Sequence, residues 1–486
     1  MNKTHGRSYS VKRAGAAYML LSLMRPAANT LVLPVLVAAM SPSDVGRFVL
    51  LAPLWWLCQS LLSLGANESL ARLVAKGCTG VAGALLLITA TIGVFGVLLA
   101  AALMAFSGGI LGIPWSFAVL GAVLLGVSQA VIAVSVAVLR VDMRVRAASI
   151  ALAASTLATV VPGVFSVLLI EPSADAYYMA AAVGGLLVAG VASVATMRGH
   201  RRDYRDSWTT FRRAVRLGIP LMPQLMASLV IDLLARRVVL AFGGLAAVGV
   251  FGVAIMVGSL LSLIVKSVVQ AWGPVFFRKD QASAVSQARL VATVGVSGVL
   301  LATAVIPIAG FAASSVIDNL GYRADSMIIV ATLAACAAAP HIVVLVLTYA
   351  SLHSERTGLI AWTAIVGPAS GLLCGVILAQ VRWELIAVAL PLGHLASGLL
   401  MLVFSRDLRQ WGVPPPTVSW AILSAAVGVV FSATGVLESG GGWIALLSAS
   451  IIGAAGVAPL VLLWVARVRG GRSLVDDSRA TVRSRE

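Results

Sequence analysis

The chain is built from long apolar segments that follow one another with only short polar breaks between them. Each segment is about as long as the roughly 20 residues that a helix needs to cross the hydrocarbon core of a bilayer. Of the 486 residues, 60% are hydrophobic and 11% are charged, which leaves too few polar residues to coat a soluble globule. Lipid offers the backbone no hydrogen-bond partner, so a spanning structure is a helix bundle or a closed barrel, and apolar runs without alternation exclude the barrel.

We therefore predict an all-α polytopic membrane protein, with about fourteen transmembrane helices in two pseudo-repeated bundles around a central cavity. Basic residues before the first span resemble a signal peptide, but that span runs on to full length and contains Arg25 and Pro26, so an uncleaved helix is predicted. The predicted spans are 14–39, 44–65, 81–106, 116–139, 148–170, 176–196, 217–240, 245–272, 289–313, 327–350, 359–379, 384–404, 417–436 and 444–466.

The lysines and arginines are distributed unevenly between the two sides of this predicted bundle. With the amino terminus in the cytoplasm, 28 of the 35 fall in inner segments, 3 in outer segments and 4 within spans, when Arg47 and Arg289, at the ends of their spans, are counted with the adjoining segments. This asymmetry predicts a multi-pass protein of the cytoplasmic (inner) membrane with both termini in the cytoplasm. The net charge of +17 then indicates contact with anionic membrane lipids and not with nucleic acid.

The longest polar break, RGHRRDYRDSWTTFRR from residue 198, follows the sixth span and is typical of a basic amphipathic linker on the inner surface. It divides the chain into parts that we predict as follows: an N-terminal bundle at 1–197, the basic cytoplasmic linker at 198–216, a C-terminal bundle at 217–404, two additional C-terminal spans at 405–466 and a basic cytoplasmic tail at 467–486.

An offset of 203 residues brings the openings of the two predicted bundles into register. This indicates a parallel internal repeat, and transporters commonly place their substrate path between such repeats. The aligned positions are Val45, Gly46 and Phe48 with Val248, Gly249 and Phe251, and also Asn29 with Asp232, Gln59 with Ser262, Ser63 with Lys266, and Asn67 with Gln270.

Polar side chains recur at helical spacing on three predicted spans, where a charge at the bilayer centre costs about 2.5–3.5 kcal/mol. Arg25 lies mid-span, and we predict that it faces a cavity; a buried cation bonded to carbonyl groups is the alternative. The three stripes are Tyr18, Ser22, Arg25 and Asn29 on the first span, Gln224, Ser228, Asp232 and Arg236 on the seventh, and Ser259, Ser262, Lys266 and Gln270 on the eighth.

Two of these positions leave more than one role open. Asp232 and Arg236 are four residues apart and are predicted to pair, either as a structural ion pair or as part of a coupling-ion site. Lys266 lies near the inner end of its span, so it either snorkels to the interface or faces the cavity. His341 and His394 follow prolines, where packing against a freed carbonyl is the favoured interpretation and a proton relay is the alternative.

Enzyme motifs are missing from the sequence, which contains no GxxxxGK[ST], HExxH or GxSxG string. The four cysteines are scattered without CxxC spacing, which argues against a metal site or disulfide framework. We therefore expect no catalytic residues, no metal and no cofactor. A channel is also disfavoured, because no filter-like loop or charge ring is evident.

Two stretches resemble the Wzx-type polysaccharide and O-antigen flippases of the multidrug/oligosaccharidyl-lipid/polysaccharide (MOP) exporter superfamily. LPVLVAAMSPSDVGRFVLL with SLGANESLARLVAK resembles the first-half opening of that family, and GIPLMPQLMASLVIDLLARRVVLAFGGLAAVGVF with AWGPVFFRK resembles its second-half opening. One position departs from the family, which often has Asp-Arg where this chain has Ala235-Arg236, with the acid displaced to Asp232.

The resemblance implies a flippase that moves a polyprenyl-pyrophosphate-linked oligosaccharide from the inner to the outer leaflet by alternating access. It implies a cationic cavity in which Arg25 contacts the diphosphate, supported by Asn29, Arg236 and Lys266, with Asp232 as a possible coupling-ion site. Expected partners are the lipid-linked oligosaccharide, membrane lipids, and the polysaccharide polymerase and glycosyltransferase machinery. Other polar residues expected to line the cavity are Tyr18, Ser22, Gln59, Gln224, Ser228 and Ser262.

Three other functions stay open on the sequence. A drug/cation antiporter of the multidrug (MATE) branch would need net acid in the cavity, whereas the spans hold Arg25, Arg236, Arg237 and Lys266 against the single acid Asp232. A peptidoglycan lipid-precursor flippase would handle the same diphosphate chemistry. An assembly scaffold that transports nothing would have no use for charges within the spans.

Overall fold

The computed structural model describes residues 28, 32–75, 78–105, 116–141, 144–199, 206–219, 222–276, 281–319, 323–353, 357–405 and 452. Within these ranges the secondary structure is helical and contains no strand, which confirms the predicted all-α membrane fold.

The N-terminal half of the described chain is a group of helices around α5, which is the most enclosed of the described spans. In its span 83% of the residues are buried, against 28% in α4, so α4 presents most of its surface to lipid. The helices are α1 (32–39), α2 (Pro42–Ser63), α3 (Ala66–Ala75), α4 (Val81–Ala105), α5 (Phe117–Val141), α6 (Val145–Leu169) and α7 (Ala174–Gly199).

A short amphipathic helix, α8 (Ser207–Gly218), follows and leads to the C-terminal half. Its arginines 212, 213 and 216 are exposed, whereas Thr210 is buried and donates a hydrogen bond to the carbonyl of Thr79 at 2.7 Å. The linker thus rests on the turn before α4.

The C-terminal half contains the longest helical element, α9, which is two helices joined at Gly244. Gly244 has φ 77° and ψ −177°, a backbone conformation that favours glycine and redirects the chain. The elements are α9 (Met222–Phe276), α10 (Gln281–Ala312), α11 (Ser314–Asn319), α12 (Ala324–Cys336), α13 (Ala338–His353), α14 (Thr357–Ala379), a 3₁₀ helix (Trp383–Val388) and α15 (Ala389–Phe404).

Ten helices among the described residues are long and apolar enough to cross a membrane. One of these segments, Leu229–Val265, has 37 residues, about twice the length that a single crossing requires, and the bend at Gly244 divides it. It therefore accounts for the two predicted spans 217–240 and 245–272. Most of the predicted first span and the spans 417–436 and 444–466 lie outside the described residues.

Two predicted boundaries differ from the structure at prolines. The seventh span was placed from residue 217, but α8 continues to Gly218 and α9 begins at Met222, with Pro223 in its first turn, where a missing N–H is tolerated. The span 384–404 opens as a 3₁₀ helix, and α15 starts only at Ala389, just before Pro391.

Glycines allow close helix contacts where lipid provides no hydrophobic drive for association. On α7, a Cβ added at Gly184 would collide with the carbonyl oxygen of Ala158 on α6, whereas a Cβ added at Gly190 would meet nothing within 4 Å. The two positions therefore test packing and helix propensity separately.

We expect Gly184→Ala to destabilise the protein by about 1–3 kcal/mol through overpacking. Gly190→Ala should be neutral or stabilising by up to about 1 kcal/mol, since alanine favours a helix over glycine. The measurement is the apparent midpoint of thermal unfolding in detergent for the two variants and the parent protein. Equal midpoints for the two variants would contradict this account of the α6–α7 contact.

Candidate functional site

The two halves meet where α2 crosses the part of α9 that follows Gly244. A Cβ added at Gly46 would collide with the carbonyl oxygen of Leu245, and one added at Gly249 would lie 2.7 Å from the carbonyl oxygen of Pro42. Pro42 and Leu245 are 203 residues apart, as are Gly46 and Gly249. The contact is thus reciprocal, as it is across a two-fold axis, where each partner presents the same surface.

A third pair extends the same pattern one turn further along both helices. A Cβ added at Gly252 would lie 2.7 Å from the Cβ of Val49, and these two residues are again 203 positions apart. Val45 and Val248, another pair at this offset, are both fully buried. The offset found in the sequence therefore corresponds to contacts between matching residues of the two halves.

A proline beside this crossing leaves a helix carbonyl in need of a donor. Pro53 lies inside α2 and has no N–H to offer the carbonyl oxygen of Val49, four residues earlier. Arg236, on α9 before Gly244, donates to that oxygen from Nη1 at 2.5 Å. The hydroxyl of Tyr178 on α7 donates to the neighbouring carbonyl of Phe48 at 2.8 Å. Two side chains from other helices thus donate hydrogen bonds to carbonyl groups of α2 near its proline.

The same guanidinium holds Asp232 one turn earlier in a two-pronged ion pair. Nε of Arg236 donates to one carboxylate oxygen at 3.2 Å and Nη2 donates to the other at 3.0 Å. The Arg236 side chain is 6% exposed and that of Asp232 is 33% exposed, so the carboxylate keeps an open edge. The predicted i,i+4 pair is present, and it is part of a link between α9 and α2.

Aromatic rings enclose the α2 side of this link. The ring centroids of Phe48 and Tyr177 are 4.8 Å apart, and those of Trp55 and Trp56 are stacked at 4.2 Å. These four rings, with Tyr178, line part of a cavity of about 80 Å³ between α1, α2, α5, α6, α7 and α9. The cavity has room for several water molecules and is too small to hold an oligosaccharide.

The structure brings together part of the predicted site. Asp232 and Arg236 are joined, Gln59 lies on α2 with a buried side-chain oxygen that accepts no hydrogen bond from the described residues, and Ser262 is half-buried on α9. Gln224, Ser228 and Lys266 lie on the α9 backbone, but their side chains fall outside the described part of the chain. Tyr18, Ser22, Arg25 and Asn29 also lie outside the described residues.

Pro53, Tyr178 and the carbonyl of Val49 are parts of this site that the sequence patterns did not predict. A proline inside an apolar span was the available signal, because it predicts an unbonded carbonyl four residues earlier. Which side chain meets that carbonyl depends on which helix packs there, and a helical pattern does not record this.

Comparison with known proteins places the fold. No protein-family profile and no curated sequence matches the chain. Among solved structures, the lipid II flippase MurJ in an inward closed conformation matches at 12% identity with a TM-score of 0.62, over 94% of this chain and 99% of MurJ. The MATE multidrug transporter DinF-BH in complex with R6G matches at 16% identity with a TM-score of 0.59, over 82% of this chain and 95% of that protein.

A third structure, the inward-facing conformation of a multidrug-resistance MATE transporter of the MOP superfamily, matches at 14% identity with a TM-score of 0.56, over 84% of this chain and 98% of that protein. The chain therefore has the fold of MOP-superfamily transporters and is a multi-pass membrane protein.

The bond from Arg236 to the Val49 carbonyl, which Pro53 leaves without a backbone donor, predicts that one substitution partly offsets the loss of stability caused by another. Arg236→Met leaves the Val49 carbonyl without its donor and Asp232 without its partner, so the unfolding midpoint should fall. Pro53→Ala restores a backbone N–H for that carbonyl, so the same arginine replacement should cost about 1 kcal/mol less in the Pro53→Ala background.

The measurement is a double-mutant cycle of apparent unfolding midpoints in detergent. Pro307→Ala on α10 is the matched control, because Pro307 also lies inside a helix but is remote from Arg236 in sequence and element. Its combination with Arg236→Met should be additive. Equal coupling of both prolines to Arg236 would refute the assignment of the Val49 carbonyl.

Proposed function

We propose that this chain is a flippase that moves a polyprenyl-pyrophosphate-linked oligosaccharide, a polysaccharide repeat unit, from the inner to the outer leaflet by alternating access. The supporting structures are transporters and a flippase, and none is an enzyme. The fold serves drug transporters and a lipid flippase alike, so the choice of substrate class depends on the charges within the spans.

The pairing of Asp232 is the observation that carries this proposal. It is the one acid that the sequence places deep within a predicted span, and both of its oxygens are held by Arg236. Arg25 and Lys266 then leave an excess of positive charge at membrane depth. A diphosphate enters a low-dielectric cavity only where cations replace its hydration, and arginine offers two-pronged contacts to it.

In the proposed transport cycle, the crossing of α2 and α9 is the contact that opens and closes. The charge asymmetry predicts that the Pro42 end of α2 faces outward, and at this end Gly46 and Gly249 bring the two halves into contact. Release of substrate to the outer leaflet requires these helices to separate. Separation breaks the bond from Arg236 to the Val49 carbonyl and makes that guanidinium edge available to the diphosphate.

Peptidoglycan-precursor transport is the second candidate, because the likeness to the lipid II flippase MurJ extends over 94% of this chain. Both candidates require the same cationic cavity. Essentiality of the gene would favour the peptidoglycan precursor. A viable deletion in which a different lipid-linked saccharide accumulates would favour the polysaccharide repeat unit.

A drug/cation antiporter is the alternative from another substrate class. It needs an acid that can exchange a proton for a cationic drug, and Asp232 is already paired with Arg236. Proton-coupled efflux of a cationic dye by the purified chain in liposomes would identify this function and exclude the flippase.

Arg25 provides the sharpest test of the anionic substrate. We expect Arg25→Glu to abolish surface polysaccharide while lipid-linked saccharide accumulates on the inner leaflet, because the glutamate repels the diphosphate. Arg25→Lys should retain part of the export, since it keeps the charge and loses the two-pronged geometry. The measurements are surface glycan, leaflet-resolved lipid analysis and protein abundance.

Arg237→Gln is the control, because Arg237 points away from the Asp232 face of its helix and is predicted to snorkel. It should leave export unchanged. Normal export by Arg25→Glu at normal abundance would overturn the proposed role of Arg25 and the anionic-substrate argument with it.

Alternating access predicts that a covalent link between α2 and α9 stops transport. In a background with the four cysteines replaced by serine, Val49→Cys with Gly252→Cys should form a disulfide, because the Cβ positions lie 2.7 Å apart and a small outward shift reaches the about 3.8 Å of ordinary disulfides. Export should stop on oxidation and return on reduction.

A matched pair within the N-terminal half controls for the chemistry. Gly96→Cys with Val127→Cys joins α4 to α5, where the Cβ positions lie 3.6 Å apart. This link should form equally well and leave export intact. Transport that survives the Val49–Gly252 link would show that these helices do not part during the cycle.

A further inference from the structure

Two histidines on different helices of the C-terminal half are in direct contact. Nδ1 of His341 on α13 lies 3.0 Å from Nε2 of His394 on α15, and the rings meet edge to face with centroids 4.3 Å apart. The spans that hold them are Ala324–Ser351 and Trp383–Phe404. Both residues are about ten positions from the nearer span end, roughly 15 Å at the helical rise, which puts the contact near the middle of the membrane.

The short distance between the two nitrogens limits the number of protons that the pair can hold. A hydrogen bond between two imidazole nitrogens needs one donor and one acceptor. The neutral pair meets this condition, and so does a pair that has gained one proton, with the added charge shared between the rings. A second added proton makes both facing nitrogens donors, so the bond is lost and two like charges repel across 3.0 Å.

The surrounding ionisable groups are engaged elsewhere or lie away from the pair. On the 3₁₀ helix, Glu384 accepts from Ser326 of α12 at 2.7 Å and from Arg382 at 3.2 Å. Asp318 caps the start of α12 through the N–H of Ala324 at 3.0 Å.

Several other titratable groups lie on the elements that pack against the pair, and histidine is the side-chain type whose ordinary pKa lies nearest neutrality. Cys336 is buried just before α13, Tyr349 lies two turns along it, and Asp325 lies in the first turn of α12. Arg289 on α10 and Cys374 on α14 are exposed. The side chains of His353 and of Lys266 on α9 lie outside the described part of the chain.

We propose that His341 and His394 form a proton-binding site that couples the packing of α13 and α15 to pH. With none or one added proton the two helices are held together, and with two they are driven apart. A cavity of about 10 Å³, close to the size of one water molecule, lies beside His394 and Pro340.

Helix packing connects the histidine pair to the crossing of α2 and α9. α15 packs on α14, and both α13 and α14 pack on α9, which carries Arg236 and the glycines at the α2 crossing. Protonation of the pair therefore acts on the element that must move in transport. This coupling rests on the proposed function, whereas the proton site itself does not.

The proton site is tested by ¹⁵N-histidine NMR of the full chain in nanodiscs, with the other three histidines, His5, His200 and His353, replaced by glutamine. We expect two separate titration steps that belong to the pair, with the second at lower pH than the first because the two added charges repel each other. His394→Gln should leave one step, displaced from both. Two identical, independent steps, or a His341 step unchanged by His394→Gln, would overturn the site.

The coupling is tested in proteoliposomes with a fluorescent polyprenyl diphosphate as the probe. The parent protein should move the probe at a rate that depends on an imposed pH gradient, and His341→Gln and His394→Gln should each lose that dependence. His353→Gln, on the same helix as His341, is the matched control and should keep it.

The outcomes separate the two proposals. A parent protein that leaves the probe in place contradicts the proposed function, while the NMR titration still decides the proton site. A parent rate that ignores the gradient, or a gradient dependence that survives both replacements, overturns the coupling.

Discussion

Lipid cannot satisfy a backbone carbonyl, and much of the described site depends on this constraint. Pro53 removes a donor from the middle of α2, so another part of the protein has to supply one. Arg236 does so, and it arrives from the opposite half of the chain. A local irregularity of one helix thus becomes a bond between halves, and the same guanidinium stays compatible with the apolar interior because Asp232 balances its charge.

Glycine has the complementary role at the crossing, because it lets two helices approach to backbone contact where a larger residue would hold them apart. The reciprocal approach of Gly46 and Gly249 is the symmetric part of the interface. The link at Pro53 is the asymmetric part. At the offset of 203, Pro53 corresponds to Met256 and Arg236 to Leu33, so the second half lacks the proline and the first half lacks the cation. The repeated helices therefore have the Arg236–Val49 bond on one side of the crossing, without an equivalent bond at the matching positions.

The two polar contacts within the membrane differ in what can change them. Arg236 contacts Asp232 on its own helix and the Val49 carbonyl on α2, so movement between α2 and α9 alters the second of these contacts. In the proposed site, the His341–His394 contact keeps its hydrogen bond when one proton is added and loses it when a second is added. In the proposed cycle the first contact responds to the position of the helices, and the second sets that position according to pH.

Much of the fold could be predicted from the sequence, because helices in lipid are defined locally. Apolar length located the spans and separated 217–240 from 245–272, and the spacing of Asp232 and Arg236 fixed their pairing, since residues four apart share a helix face. Matching positions at a constant offset indicated the repeat. Each of these features needs only the period of one helix or a comparison of the chain with itself.

The tertiary structure alone decided which helices meet and through which atoms. The sequence placed His341 and His394 near prolines, with packing favoured over a proton relay, and the structure adds a contact between them across 53 residues. The sequence placed Arg236 on a stripe expected to face a substrate cavity, and the structure adds a bond from its guanidinium to a carbonyl 187 residues away. Such contacts depend on how each helix is rotated and how closely it packs, and periodicity within a segment carries no information about either.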